Sequence, residues 1–339
     1  MPGSATVPNV LAAIAGPANA NLSLLDANWT ALLNYINPRE LTQDTFANRP
    51  AAGVAGRWYF ATDTGVLYAD TGTAWVQVAL GTLAANLAET LTGLGLTNNA
   101  GDATNDIDIA AGAASSEDAV IANRNLMSLT TAITKQLDVA WAVGTNQGGR
   151  MSAGAIANTT YFIHLIKRLD TGVVDVGFDV SATAPTLPTN YTRSRRIGAI
   201  VRSAGAILAF FQNGDEFYWN TPPALDVNTL NPGAAAVTAT LTVPVGIRVK
   251  AFLNIACENA TTGNLAIYLS SLDNADVAPS QTVSPLGQLA PVVVGSFAGG
   301  PAEVWTNTAA QIRYRLSASG AADRFKLATL GWLDRRGRG

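Results

Sequence analysis

Tight-turn signals recur along this chain at intervals too short for helices of ordinary length, with short aromatic and β-branched runs between them. Asp-Thr-Gly stands at 63–65, 70–72 and 170–172, and Asn213-Gly214 separates Phe210-Phe211 from Phe217-Tyr218-Trp219. Asn-Gly readily takes the two positive-φ positions of a type I′ turn, so a hairpin is expected there. Strand candidates follow at 161–167, 173–180, 197–202, 207–211 and 216–219. After Pro222-Pro223 come 236–243, 248–257, 264–270, 292–297, 311–316 and 325–333. This density of strands and turns predicts a mainly β protein with β-sandwich, jelly-roll-like distal domains. No βαβ rhythm is visible, which argues against a Rossmann or TIM-barrel enzyme.

Helical spacing stands out at the N-terminal end. Leu25, Trp29, Leu32, Leu33 and Ile36 recur at three, four and seven residues, and Pro38 stops the run. A short helix within an anchor over 1–45 is the expectation. Residues 46–80 read as a three-stranded meander, 57–62, 66–70 and 74–78, joined by the first two Asp-Thr-Gly turns. Residues 81–125 read as a connector. Within it Leu87, Leu91 and Leu94 suggest a short helix over 83–96, and Ile107-Asp108-Ile109 alternates as a strand would. A further helical turn is expected at 130–137. The remainder divides into a β-rich domain, 126–221, and a distal β-sandwich, 222–339, because paired prolines cannot sit inside a central strand.

Composition narrows the chemistry. Charged residues make up 13% of the chain, the net charge is -3, and there is one cysteine and one histidine. A zinc site of several Cys or His ligands cannot be assembled within one chain, nor can an intrachain disulfide. No cofactor or metal is implied, and no basic surplus points to nucleic acid. No apolar run approaches a membrane span, and no Lys or Arg precedes Arg39 to lead a secretory signal. Synthesis in the cytosol and assembly into a larger particle are therefore expected, without catalysis.

Two segments resemble phage proteins. Arg49, Pro50, Gly53, Gly56, Arg57, Tyr59 to Gly65, Tyr68, Asp70, Gly72, Thr73 and Trp75 resemble a module of tail-fibre and baseplate-associated proteins of tailed bacteriophages. Residues 134–219 resemble a second phage-associated region. Its markers are Lys135 to Asp138, Trp141 to Gly144, Gly148-Gly149, Tyr161 to Leu165, Asp170 to Gly172, Arg195 to Gly198 and Gln212 to Asp215. The resemblance implies a virion component: a homotrimeric tail fibre or tail appendage. Its N-terminal part would join other tail or baseplate proteins, and its distal part would meet a host-surface glycan or protein. An adaptor or cementing fibre without receptor binding is the alternative, and a polysaccharide depolymerase a lesser one.

Candidate sites are few. His164 lies in a strand and reads as a half-buried histidine bonded to backbone; a metal ligand on a trimer axis is the other reading. Cys257 reads as a small buried hydrophobe. Asp175 and Asp179 stand four residues apart on one strand face, too far for a glycosidase pair. Asp102, Asp106 and Asp108 read as loop carboxylates able to bind calcium, although their spacing is not that of an EF-hand loop. Arg193, Arg195, Arg196 and Arg202 read as a solvated strand entry or an anionic-sugar contact, and 334–339 as a solvated basic tail. One face of Phe210, Phe211, Phe217, Tyr218 and Trp219 must be core; the other, if exposed, would suit sugar or protein. Recognition is expected on distal loops: 273–285, with Asn274, Asp276 and Gln281, and 297–307, with Glu303 and Trp305 on a turn.

Overall fold

Alternation of buried and more exposed side chains runs along several strands of the computed structural model, 250–259, 311–316 and 324–333 among them; the structure describes residues 41–78 and 89–338. Among the described residues there is no α-helix, only one-turn 3-10 helices at Phe46–Asn48 and Ile121–Asn123. The expected helix over 21–36 lies outside them. The chain divides into two compact units, Met1–Gly81 and Thr82–Gly339.

In the first unit, strands β1 (Leu41–Asp44), β2 (Trp58–Ala61), β3 (Val66–Asp70) and β4 (Trp75–Gln77) form a sheet in that order. The expected meander supplies β2 to β4. Strand β1, read from sequence as part of the anchor, adds a parallel edge in register Leu41↔Trp58 to Asp44↔Ala61. The Asp-Thr-Gly turns close as expected: Gly65 N–H donates to Ala61 O at 2.8 Å and Gly65 and Gly72 hold φ of 69° and 91°.

The second unit begins with β5 (Leu91–Gly93), β6 (Leu96–Asn98), β7 (Asp106–Ile109), β8 (Gly112–Ser115) and β9 (Leu126–Leu129). The expected helix over 83–96 is thus replaced, in its described part, by strands. Leu91, Leu94 and Leu96 are all buried there, Leu91 and Leu96 on strands and Leu94 in the tight turn between them at φ 56°, rather than on a helical stripe. The helical turn expected at 130–137 is instead strand β10 (Ile133–Ala140), paired with β7 and with β11 (Gln147–Arg150). Next come β12 (Thr160–Arg168), β13 (Val174–Asp179), β14 (Tyr191–Ser203) and β15 (Ala206–Ile207). An eight-stranded sheet runs β15-β14-β12-β13-β11-β10-β7-β6, and β5-β8-β9 form a small separate sheet. Strand β12, flanked on both sides, is buried on both faces from Thr160 to Ile166.

Strands β16 (Phe210–Asn213) and β17 (Glu216–Trp219) form the Asn-Gly hairpin, in register Phe210↔Trp219. They join β18 (Leu225–Leu230), β20 (Lys250–Asn259), β23 (Ser296–Trp305) and β25 (Arg324–Leu333) in one sheet. Its order is β16-β17-β25-β20-β23, with β18 also on β25. Pro222-Pro223 lies in the loop between β17 and β18, and strands from both sides of it pair with β25. A four-stranded sheet, β19 (Val237–Thr240), β24 (Gln311–Leu316), β21 (Leu265–Ser270) and β22 (Leu289–Val292), completes the unit. It packs on its neighbour in sandwich fashion, with the Tyr314 and Phe325 rings 4.8 Å apart. One continuous core joins residues from Leu91 to Trp332.

Candidate functional site

Both segments that carry the resemblance close around an acidic side chain. In the first unit Asp70 accepts the Nε and Nη2 hydrogens of Arg57, at 3.1 and 2.5 Å, and the N–H of Val54, Gly53 and Gly72 at 3.0, 3.1 and 2.8 Å. Burial alone would raise its pKa, but the Arg57 guanidinium and these N–H groups outweigh it and hold the carboxyl well below the usual range. Trp75 Nε1 donates to Pro50 O at 2.7 Å, and the Arg49 guanidinium sits 4.4 and 4.3 Å from the Phe46 and Tyr68 ring centres. In the second unit Lys135, fully buried, pairs with Asp175 at 3.0 Å and donates to Ala142 O and Gly144 O at 2.6 and 2.9 Å. Trp141 covers its ammonium at 5.2 Å. A side chain at Gly148 would meet Ala140 O, and one at Gly149 the Phe178 ring. These sets explain much of both patterns as folding hubs.

Most of the candidate chemical groups are engaged in the same way. His164 is enclosed on β12, so copies of the chain cannot share it, and its Nε2 donates to Ser181 O at 2.9 Å. Burial pushes its ring down to about 4, keeping it neutral, and pushes the Cys257 thiol up to about 11. Asp179 accepts Ser181 N–H and Thr186 N–H, and Asp102 accepts Thr104 N–H and Asn105 N–H. Asp106 lies at the start of β7, and Asp108 accepts from Asn99 and Thr134. Among the described residues no group of three or more His, Cys, Asp or Glu is placed to hold a metal ion. The tail expected to be solvated is instead tied down: Arg196 clasps Asp334 at 2.5 and 2.9 Å, and Arg336 and Arg338 pair with Asp215. Arg195 and Arg196 are likewise buried, not solvated. Arg193 is 3.5 Å from Asp118, and Arg202 donates to Asn158 Oδ1 and Gly205 O.

The site that remains is the outer face of the β16-β17-β25-β20-β23 sheet. Strand alternation turns Phe210, Phe217 and Trp219 inward and Phe211, Glu216 and Tyr218 outward. Phe211 is 51% exposed and stacks on Tyr218, its register partner, at 5.1 Å and 15°. Tyr218 in turn stacks on Phe252 of β20 at 5.2 Å and 18°. Strands β17 and β20 are separated by β25, so their side chains should stand roughly 9 to 10 Å apart. They close to stacking distance over Gly331, which pairs with both Tyr218 and Phe252 and where a Cβ would lie 2.1 Å from Phe217 O. An isolated glycine in a strand is the signal that could have found this; Gly331 and Phe252 were not singled out from the sequence.

The row continues into predicted residues. Phe252 pairs with Glu303 and Lys250 with Trp305. Lys250 Nζ donates to Glu303 at 2.9 Å, and the Arg335 guanidinium lies 5.6 Å from the Trp305 ring centre. The Tyr218 hydroxyl donates to Glu216 at 2.9 Å; burial first, then Glu216 and Glu303, push that phenol up. Lys250, Tyr268, Asn274, Gln288, Glu303 and Trp305 line a shallow cleft of about 310 Å³. Trp305 is not on a turn: it ends the edge strand β23, is half-buried, and the expected loop 297–307 is largely that strand. Asn274 joins Trp305 and Glu303 at the cleft, while Asp276 is held by Arg315 at 2.7 Å and Gln281 lies exposed and does not line it. The face therefore presents aromatic surface beside carboxylates and cations, an arrangement able to stack on a ring and hydrogen-bond its hydroxyls.

No family model and no curated protein matches the chain. Among solved structures it is similar to a structure of infectious bursal disease virus, Gx strain, at 14% identity and a TM-score of 0.19, covering 72% of this chain and 68% of that one. It is also similar to a Cry1Da tryptic core variant of Bacillus thuringiensis at 9% identity and a TM-score of 0.18, covering 87% and 60%. Likenesses this slight bear neither on the fold nor on the function.

Proposed function

We propose that the chain is a non-enzymatic virion protein, a trimeric tail fibre or tail appendage of a tailed bacteriophage. Its N-terminal part, with a helical anchor, attaches to tail or baseplate proteins, and its jelly-roll-like distal strands meet the host surface. The resemblance at 48–75 and 134–219 supports the virion half of this reading. The observation that carries the contact half is the outward aromatic row Phe211-Tyr218-Phe252, continued by Glu303 and Trp305. The neutral, enclosed His164 and the protonated Cys257 support a role without catalysis. Large apolar side chains left exposed in one stretch, Val277, Val283, Leu286, Val293, Val294 and Phe297, support self-association.

Light scattering tests the assembly: a mass three times that of the 35.1 kDa chain is expected, and a stable monomer overturns the trimer. Removing residues 226–339 is a poor test of host contact, because β20 and β25 carry β17 and much of the core. The better test is competition. Purified protein is expected to block adsorption of the phage, and a Phe211→Ala, Trp305→Ala variant of unchanged mass to block it poorly. Equal blocking by that variant removes the aromatic face from recognition; no blocking by either protein favours the cementing role.

A further inference from the structure

Arg195, on β14, was expected to be solvated but is 3% exposed, and its Nε and Nη2 have no hydrogen-bond partner. These two atoms form the edge of the guanidinium that grips a carboxylate side-on, as Arg57 grips Asp70 and Arg168 grips Asp170 in this same molecule. The nearest anion, Glu117 Oε1, stands 3.5 Å from Nε, close enough to offset charge but outside hydrogen-bond reach. A buried fork left open in this way carries a desolvation cost that a bound anion would relieve.

The fork lines a cavity of about 470 Å³, shared with Arg124, Arg196, Glu89, Glu117 and Thr183. That volume accommodates a small ligand. Arg196 is already neutralised by its bidentate Asp334, and Arg124 donates its Nε only to the Asp118 carbonyl. Two cations therefore lack a bidentate carboxylate, while Glu89, Glu117 and Thr183 offer acceptors at the same wall. Burial pushes the Glu117 carboxyl up, with Arg195 opposing it only in part, as expected of an incompletely formed pair. The opposing carboxylates disfavour a bare multivalent anion. They suit a ligand that brings one planar carboxylate and several hydroxyl donors.

We infer that this cavity binds an acidic monosaccharide unit, its carboxylate on the Arg195 fork and its hydroxyls on Glu89, Glu117 and Thr183. The site is separate from the aromatic face and does not depend on that face meeting a host.

Calorimetric titration of the full chain with glucuronate, N-acetylneuraminate, glucose and inorganic phosphate tests it. Saturable binding of at least one sugar acid is expected, with none of glucose. Arg195→Gln should weaken that binding at least tenfold. Thr183→Val, at an exposed position of the lining, removes one hydroxyl acceptor and spares the fork; it should weaken binding several-fold and serves as the test should Arg195→Gln fail to fold. Absence of sugar-acid binding overturns the inference. So does phosphate binding in place of the sugar acids, or affinity that neither variant changes.

Discussion

The two units use one device at very different depth. In each, a carboxylate faces a cation and several backbone N–H groups: Asp70 with Arg57 in the first, Asp175 with Lys135 in the second. Arg57 keeps a quarter of its side chain in solvent, whereas Lys135 keeps none. The first unit's sheet offers few buried apolar groups, Tyr59 and Ala61 among the described residues, so its polar hub stands in for a core. The second unit has a core running from Leu91 to Trp332, and its hub is a cost which that core can bear. The same motif chemistry is thus structural necessity in one place and positional detail in the other.

The largest effect should come from breaking the deep pair on one side only. Lys135→Met leaves Asp175 charged and buried, and should cost about 3 to 5 kcal/mol in urea unfolding of the second unit. Replacing both partners by apolar residues, Lys135→Met with Asp175→Leu, should recover most of that loss, although Gly144 N–H and Val176 N–H then lose their acceptor. The corresponding change in the first unit, Arg57→Met with Asp70→Leu, should not be tolerated, because nothing apolar replaces the hub. Hydrogen exchange distinguishes the two: protection across β2 to β4 should collapse with Asp70→Asn alone, while protection in β12 and β20 stays unchanged. Equal tolerance of the double replacements would end the contrast.

Acid should separate the units as well. His164 has its folded value lowered to about 4 against 6.5 for the free side chain. A lowered histidine value favours the neutral form, so its contribution is complete above pH 6.5 and is lost as pH falls toward 4. The difference amounts to about 3 kcal/mol in the second unit. Asp70 is held below the ordinary range, so its contribution is complete above about pH 4 and is lost only under stronger acid. Between pH 6 and 4.5 the His164 contribution should drain from the second unit, against the opposite drift of the raised Asp106 and Glu117 carboxyls, while the Asp70 contribution to the first stays whole; exchange protection of each unit follows this. His164→Gln should flatten the second unit's slope in that window.

Much of the strand content was legible because the strands are short, alternate in polarity and end at turns that Gly and Asn mark. What was missed has a common cause. Gly-Ala-Ala-Ser of β8 and Gln-Gly-Gly-Arg of β11 carry almost no side-chain pattern, and their place is set by pairing with partners elsewhere in the chain. Leu87, Leu91 and Leu94 do have helical spacing, yet Leu91 is buried on a strand and Leu94 in the tight turn that follows it. The basic tail reads as solvated because the acid that holds Arg336 lies 121 residues away, at Asp215. Of the site, the residue types were legible and their assembly was not. Phe211 and Tyr218 came from one argument and Glu303 and Trp305 from another; only the order of the strands puts them on one face.

Trp305 gives the smallest and most discriminating test. Gly299-Gly300-Pro301 before it suggests a turn, but glycine and proline are also what an edge strand tolerates, since proline there removes no ladder bond. Being half-buried at the strand end, with Arg335 beside its ring, it fills less space than a core tryptophan. Trp332, fully buried on the inner face of the same sheet and stacked on Phe217 at 5.1 Å, is the natural control. Trp332→Ala should cost about 3 to 5 kcal/mol, whereas Trp305→Ala should cost about 1 to 2 kcal/mol, because a smaller share of its area leaves water on folding. If the outer face is the contact surface, Trp305→Ala weakens adsorption out of proportion to that loss, and Tyr268→Phe in the same cleft weakens it further. A Trp305→Ala protein that melts like Trp332→Ala would make Trp305 a core residue, and the aromatic row would then end at Phe252.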